Sequence, residues 1–393
     1  MSIVVANPSV SPAIGQPPLR VMVVDDAIVV RGLIARWVEA ESGLQVVASP
    51  RNGREAIEQV ERADPDVVIL DVDMPDTDGI TALPRLLAKK RDLVVIMAST
   101  LTRRNAEISL RALALGAADY IPKPETTREI TLSTAFRREL IDKIRALGMR
   151  RRRIIAARTR QPAVPAAPAR SSAAGPAQVA RPELASDQTG IRLRPFPPTP
   201  PRVLLIGSST GGPQALNVLV GRLNGLIDDA PILLVQHMPP TFTTVLGEHL
   251  SRVSGRPARE AENGEPVRAG CIYIAPGGCH MGVERRDGHP TIAIDDGPLV
   301  NFCKPAVDPL FSCAAEVWGG RCLAVVLTGM GSDGSRGAAE IVAAGGAVIA
   351  QDEATSVVWG MPGSVTHAGL CSSVLPLDQI APTIIRLFSG GRP

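Results

Sequence analysis

Two groups of residues in this chain have the types and spacing to do chemistry. Asp25 and Asp26 follow one short apolar run, and Asp71 follows another in Leu70-Asp71-Val72-Asp73-Met74-Pro75. Ser99 and Lys123 follow two more. Three carboxylates in one crevice repel each other and raise each other's pKa unless a cation sits among them. Magnesium suits that set, being a hard ion that takes carboxylate, carbonyl and water oxygens while bridging phosphate. Asp71 is then the nucleophile toward phosphorus, forming an acyl phosphate, with Ser99 and Lys123 placed to hold phosphate oxygens. The second group starts at Gly207-Ser208-Ser209-Thr210-Gly211-Gly212, which fits G-x-S-x-G, a strand-to-helix turn that exposes a nucleophilic serine. A helix start there supplies free N–H groups where an oxyanion forms. His237, in Val235-Gln236-His237-Met238-Pro239, is the candidate base, and Asp333, in Thr328-Gly329-Met330-Gly331-Ser332-Asp333-Gly334, the orienting acid.

Both groups need a sheet to converge. Val21–Val24, Gln45–Ala48, Val67–Leu70, Val94–Met97 and Asp119–Ile121 are too short for helices and rich in β-branched residues. Between them Val30, Leu33, Ile34 and Trp37, then Ile108, Ala112 and Leu115, recur at helical spacing. Five strands alternating with helices imply a doubly wound parallel sheet of order 2-1-3-4-5, whose ligands bind where strands one and three diverge. A second α/β pattern starts near residue 202: Val203–Ile206, Ile232–Val235, Cys271–Ile274 and Leu323–Leu327 read as buried strands. Leu216, Leu219, Val220 and Leu223 mark a helix after Pro213. Ser209, His237 and Asp333 then sit at three strand ends on one edge. The order serine, histidine, acid differs from that of the α/β-hydrolases, but triads are defined by geometry. The rival reading, a dinucleotide loop, wants an acid about 20 residues on, after the second strand, and His237 stands at that place.

The fold class is therefore α/β, with two doubly wound parallel-sheet domains. Their expected bounds are a tail at 1–18, a first domain at 19–145, an Ala/Pro/Arg-rich linker at 146–201 and a catalytic domain at 202–389. The linker opens on Arg150-Arg151-Arg152-Arg153, read as a solvated helix end, and lacks the bulky apolar residues a core needs. A net charge of +3 argues against nucleic acid as the main partner. No apolar run reaches the roughly 18 residues of a membrane span, and the first 16 residues lack a secretory pattern. The six cysteines lie in the last third without C-x-x-C pairs and read as buried free thiols of a cytoplasmic protein, with disulfides or zinc as the alternatives.

From Leu19 to about Ile130 the set Asp25-Asp26, Asp71, Ser99 and Lys123-Pro124 resembles two-component receiver domains. The resemblance implies that Tyr120 rearranges on phosphorylation, that the Asp73 backbone carbonyl completes the metal shell, and that the Lys123-Pro124 bond is cis. The blocks Gly207–Gly212, Gln236–Pro239, Tyr273–Gly277, Asp296–Pro298, Thr328–Gly331, Asp333-Gly334 and Gly360–Pro362 resemble, in order, the chemotaxis protein-glutamate methylesterases (CheB). That resemblance implies Ser209 as nucleophile, His237 as general base, Asp333 as orienting acid and the Met330 backbone N–H as an oxyanion donor. It also implies phosphorylation-activated hydrolysis of glutamate methyl esters on chemoreceptors, with methanol released, and deamidation of receptor glutamines. A chemotaxis histidine kinase would donate the phosphate, Mg2+ would serve the receiver, and the esterase would need no cofactor. The unphosphorylated receiver is expected to pack over the serine edge. The chain departs from the family at Ser208, where alanine is common, and at Ser332, where asparagine is frequent. His249, His280, His289 and His367 read as structural or surface groups, with Cys279 beside His280 inviting a metal guess. A transcriptional regulator and a binding-only degenerate esterase remain as alternatives.

Overall fold

A computed structural model describes residues 17–160 and 191–391, apart from 125, 127, 128, 131 and 132. The first sheet is built from β1 (Leu19–Val24), β2 (Leu44–Ala48), β3 (Val67–Asp71), β4 (Val94–Thr100) and β5 (Asp119–Lys123). Its order is β2-β1-β3-β4-β5, parallel throughout, which matches the order the sequence implied. The helices α1 (Ile28–Glu39), α2 (Gly53–Ala63), α3 (Gly79–Lys89) and α4 (Arg103–Ala114) cover its faces. Asn52, Asp78 and Thr102 cap α2, α3 and α4, each side chain accepting a backbone N–H of the first turn.

Three expectations need correction here. The buried face of α4 is Ala106, Leu110, Ala112 and Leu113, while Ile108 is half-buried and Leu115, already at the C-cap, is exposed. The Lys123-Pro124 peptide is trans; among the described residues the cis bond is Lys304-Pro305, and trans is the ordinary isomer for X-Pro. Finally, α5 (Thr134–Arg160) runs well past residue 145. Its arginines are not a solvated end: Arg151 pairs with Asp66 and Asp92, and Arg152 with Asp66 and the carbonyl of Pro18. The disorder expected for the middle of the linker falls at 161–190, outside the described residues.

The second sheet has the order β14-β13-β12-β6-β7-β9-β8, also parallel. Its central strands are β12 (Cys322–Val326), β6 (Val203–Ser208) and β7 (Ile232–Gln236), flanked by β13 (Ala347–Gln351), β14 (Ser373–Leu375), β9 (Ile272–Ile274) and β8 (Ala258–Glu260). Packed on it are α6 (Gly212–Val220), α7 (Asn224–Asp229), α8 (Phe242–Ser254), α9 (Val307–Trp318), α10 (Ser335–Ala343), α11 (Met361–His367) and α12 (Leu377–Phe388). A hairpin, β10 (His280–Arg286) with β11 (His289–Asp295), stands apart as an antiparallel pair. Upstream of β6, Arg194 donates its N–H to the Cys371 carbonyl and Phe196 packs on the core, so this folded body begins before residue 202.

Candidate active site and its phosphoacceptor domain

The edge of the first sheet brings its carboxylates together as expected. One oxygen each from Asp25, Asp26 and Asp71 lie within 4.8 Å of one another. Lys123 Nζ stands 2.6 Å from Asp71 Oδ1 and 3.3 Å from Asp25 Oδ2. Burial pushes the Asp71 carboxyl up to about 6, with Lys123 opposing and Asp25 adding to the rise. Burial likewise raises Asp25. Such crowded carboxylate oxygens fit a divalent cation, whose charge would offset their repulsion. Ser99 is buried, with its hydroxyl 3.0 Å from that of Ser109. The Asp73 side chain turns away to accept from Asn105 Nδ2 at 2.9 Å.

On the second sheet, β6 lies between β12 and β7, so the turns after these three neighbours share one edge. His237 Nε2 is 2.7 Å from Asp333 Oδ2. Asp333 is buried at the start of α9, accepting the N–H groups of Val307 at 2.6 Å and Asp308 at 3.2 Å, and Asn301 Nδ2 at 2.9 Å. Burial alone would raise its carboxyl, yet His237 and these donors hold it below the ordinary range. Burial pulls His237 down, but its bonds to Asp333 and Cys303 outweigh this and raise it to about 10.

Of the two serines, Ser208 is buried and donates to Gln236 Oε1 at 2.8 Å, which occupies its hydroxyl. Ser209 is half-buried, its N–H donating to the Thr328 carbonyl at 3.0 Å. Among the described residues its hydroxyl makes no hydrogen bond to His237. The turn depends on glycine: Gly211 has φ 74°, and a Cβ on Gly329 would come within 2.9 Å of Ser209 Cβ. Met330 is half-buried on the loop after β12.

Three residues escaped the sequence reading. Gln236 Nε2 donates to the carbonyls of Ser209 at 3.0 Å and His237 at 3.3 Å, tying the two turns together. Its place beside His237 was the available signal. Asn301 bridges Asp333 and Asp308, and Cys303 Sγ lies 3.3 Å from His237 Nδ1. These come from an irregular loop with no periodicity to flag them. His280 is structural: its Nε2 lies 2.9 Å from the Pro298 carbonyl, and its Nδ1 accepts the Ala306 N–H. All six cysteines are free, though only Cys322 and Cys371 are buried.

The two bodies touch beside this edge. Tyr120 stacks on Phe242 with centroids 4.9 Å apart, Gln214 Nε2 donates to the Ala117 carbonyl at 3.1 Å, and Arg103 pairs with Glu248 at 2.7 Å. One apolar cluster runs from Leu110 and Leu113 of the first domain into Leu216 and Leu246. On the far side of the edge, the Arg138 guanidinium lies over the Phe302 ring at 4.7 Å.

A phosphoacceptor-type domain packed on a parallel-sheet domain of hydrolase type is the class that the fold defines. Residues 21–135 match the response regulator receiver domain, and residues 204–384 match the CheB methylesterase family. A curated relative from Rhodopseudomonas palustris, named protein-glutamate methylesterase/protein-glutamine glutaminase of group 2 operon, is 61% identical over the whole of both chains. Another, from Paramagnetospirillum magneticum, is 50% identical over 96% of this chain and 98% of its own. Among solved structures, the Thermotoga maritima CheB methylesterase catalytic domain is 42% identical, covering 48% of this chain and all of that one, with a TM-score of 0.46. The chain belongs to the protein-glutamate methylesterase/protein-glutamine glutaminase family, the CheB response regulators of chemotaxis.

Proposed function

We propose that this protein hydrolyses glutamate methyl esters on chemoreceptors, under control of phosphorylation at Asp71. The observation that carries the reading is the buried His237–Asp333 pair at the strand end next to Ser209. Neutral His237 takes the Ser209 proton while Asp333 holds the imidazole in place. The serine oxygen attacks the ester carbonyl, and the negative charge that develops faces the start of α6 and the backbone N–H of Met330. His237 returns the proton to the departing methoxide, so methanol leaves and an acyl-enzyme remains. Water, deprotonated by His237, then releases the glutamate. A receptor glutamine enters by the same route with ammonia leaving, which is deamidation.

In the receiver, Asp71 Oδ accepts the phosphoryl group from a chemotaxis histidine kinase, and Lys123 holds a phosphate oxygen. Asp25, Asp26, Asp71 and the Asp73 carbonyl are the residues that would hold Mg2+, whose charge would offset that of the incoming phosphoryl oxygens. Tyr120 and Ser99 are the switch residues, and Tyr120 already lies in the contact with Phe242. A cytoplasmic location fits the chemotaxis role of the family; among the described residues no helix is long and apolar enough to cross a membrane.

The test is methanol release from methylated receptor membranes by wild type and Ser209→Ala, with and without acetyl phosphate and magnesium. Donor-stimulated release that vanishes in Ser209→Ala is expected. Equal release from both proteins would refute the serine mechanism.

A further inference from the structure

We infer that Cys303 is a positioning residue for this reaction: it holds Nδ1 of His237 while the receiver is docked, and must let go before Ser209 can deliver its proton. The inference rests on the roles of Ser209 and His237 given above. His237 Nε2 is committed to Asp333 at 2.7 Å, so Nδ1 is the nitrogen left for the serine. That nitrogen faces Cys303 Sγ at 3.3 Å instead. The Cys303 thiol can donate to the Asn301 carbonyl at 3.4 Å, which leaves a sulfur lone pair turned to the ring. With the thiol proton on the Asn301 carbonyl, the ring donates from Nε2 to the carboxylate and from Nδ1 to sulfur, which makes it an imidazolium. It has no lone pair to take a proton, so the docked form has its base masked.

The surroundings agree. The titratable groups that bear on His237 are Asp333, from the turn after β12, and Cys303, from the loop before α9. Asp308 at the head of α9 stands behind Asp333, and the Lys304 ammonium is drawn off to Asp296 at 2.6 Å. Asp333 and Cys303 both stabilise the protonated ring, and together they overcome its burial. Only Cys303 can leave without breaking the triad.

The turn that carries Cys303 is closed on itself, the Val300 and Cys303 backbones exchanging hydrogen bonds of 3.1 and 2.9 Å, so the part able to move is the Cys303 side chain. Asn301 and Phe302 have φ of 51° and 64°, a left-handed pair that is unusual for a bulky aromatic residue. Phe302 is 79% exposed, and its ring is met by Arg138 of α5, the helix that closes the receiver. The downstream end of the loop is fixed, because the Ala306 N–H donates to His280 Nδ1 at 3.2 Å. A receiver contact therefore lands one residue from the thiol that masks the base. Undocking removes Arg138 from that turn, lets the Cys303 side chain swing off Nδ1, and lets Ser209 take its place.

The experiment uses the full chain with Cys303→Ala, Cys303→Ser and Arg138→Met. Two quantities are read: methanol release from methylated receptor membranes, with and without acetyl phosphate and magnesium, and the His237 ring titration by NMR. Cys303→Ala and Cys303→Ser should both lower the His237 pKa and raise unstimulated release at pH 7, about tenfold for each unit of the fall. Arg138→Met should raise unstimulated release with Cys303 in place, and add nothing in the Cys303→Ala background. Unchanged ring titration and unchanged unstimulated release in Cys303→Ala would overturn the inference. So would loss of all release in Cys303→Ala with retention in Ser209→Ala, which would make Cys303 the nucleophile. If wild type itself releases no methanol, the esterase reading fails, while the ring titration still decides whether Cys303 holds the histidine.

Discussion

Asp71 shows how one residue's burial bears on stability. Its carboxyl titrates at about 6 instead of the ordinary 3.8, chiefly because it is buried. The folded protein thus holds this proton more tightly than the unfolded chain. Stability falls as pH rises through the interval between those two values and stays reduced above it. Asp71→Asn, which is neutral, is therefore expected to unfold at higher temperature than wild type at pH 7.5, with a gain of up to about 3 kcal/mol. The gain should shrink as pH is lowered through 5 toward 4, in thermal unfolding followed by circular dichroism. A variant that unfolds at a lower temperature at pH 7.5 would mean that the lost bond to Lys123 outweighs the buried charge. The carboxylates, Ser99 and Lys123 were legible in the sequence because each directly follows a strand whose β-branched run is unmistakable. Cys303 was not. Nothing in Asn301-Phe302-Cys303-Lys304 marks the loop as lying against His237, since only the packing of α9 and the Asp333 turn brings it there.

At the scale of elements, adjacency of strands makes the site. The β12-β6-β7 pairings are what put Ser209, His237 and Asp333 on one edge, and the short apolar runs announced those central strands. The β10–β11 hairpin did not announce itself, because Glu284, Arg285 and Arg286 break its apolar alternation. Nor did the true end of α5, whose arginines read as solvated until Asp66 and Asp92 supply partners from elsewhere in the chain. Adjacency alone leaves the turns free to drift, and Gln236 prevents that by bonding Ser208, Ser209 and His237 at once. Gln236→Leu keeps the volume but strands a buried hydroxyl and two carbonyls. The expected cost is about 1–3 kcal/mol in unfolding free energy, together with a fall in donor-stimulated methanol release well beyond what the remaining folded fraction explains. Full activity in a folded Gln236→Leu protein would show that the turns hold themselves.

At the scale of the whole molecule, the receiver lies against the two helices that follow the serine and histidine strands, α6 and α8. The apolar part of that contact, Tyr120 on Phe242, cannot be altered without disturbing both cores, since both rings are buried. The Arg103–Glu248 pair can, because both side chains are largely exposed and neither touches the esterase site. An exposed pair contributes at most about 1 kcal/mol, so breaking it shifts the docked population only modestly. Arg103→Glu turns attraction into repulsion at the same place. It should raise unstimulated methanol release by a factor of up to about five, while donor-stimulated release stays near wild type. Adding Glu248→Arg restores the attraction with reversed sign and should bring unstimulated release back down. Because the pair is solvent-exposed, the effect of the single variant should fade in about 1 M salt, where screening acts over about 3 Å. A rise that persists in the double variant, or that ignores salt, would mean that Arg103 acts through α4 itself and not through the contact with Glu248.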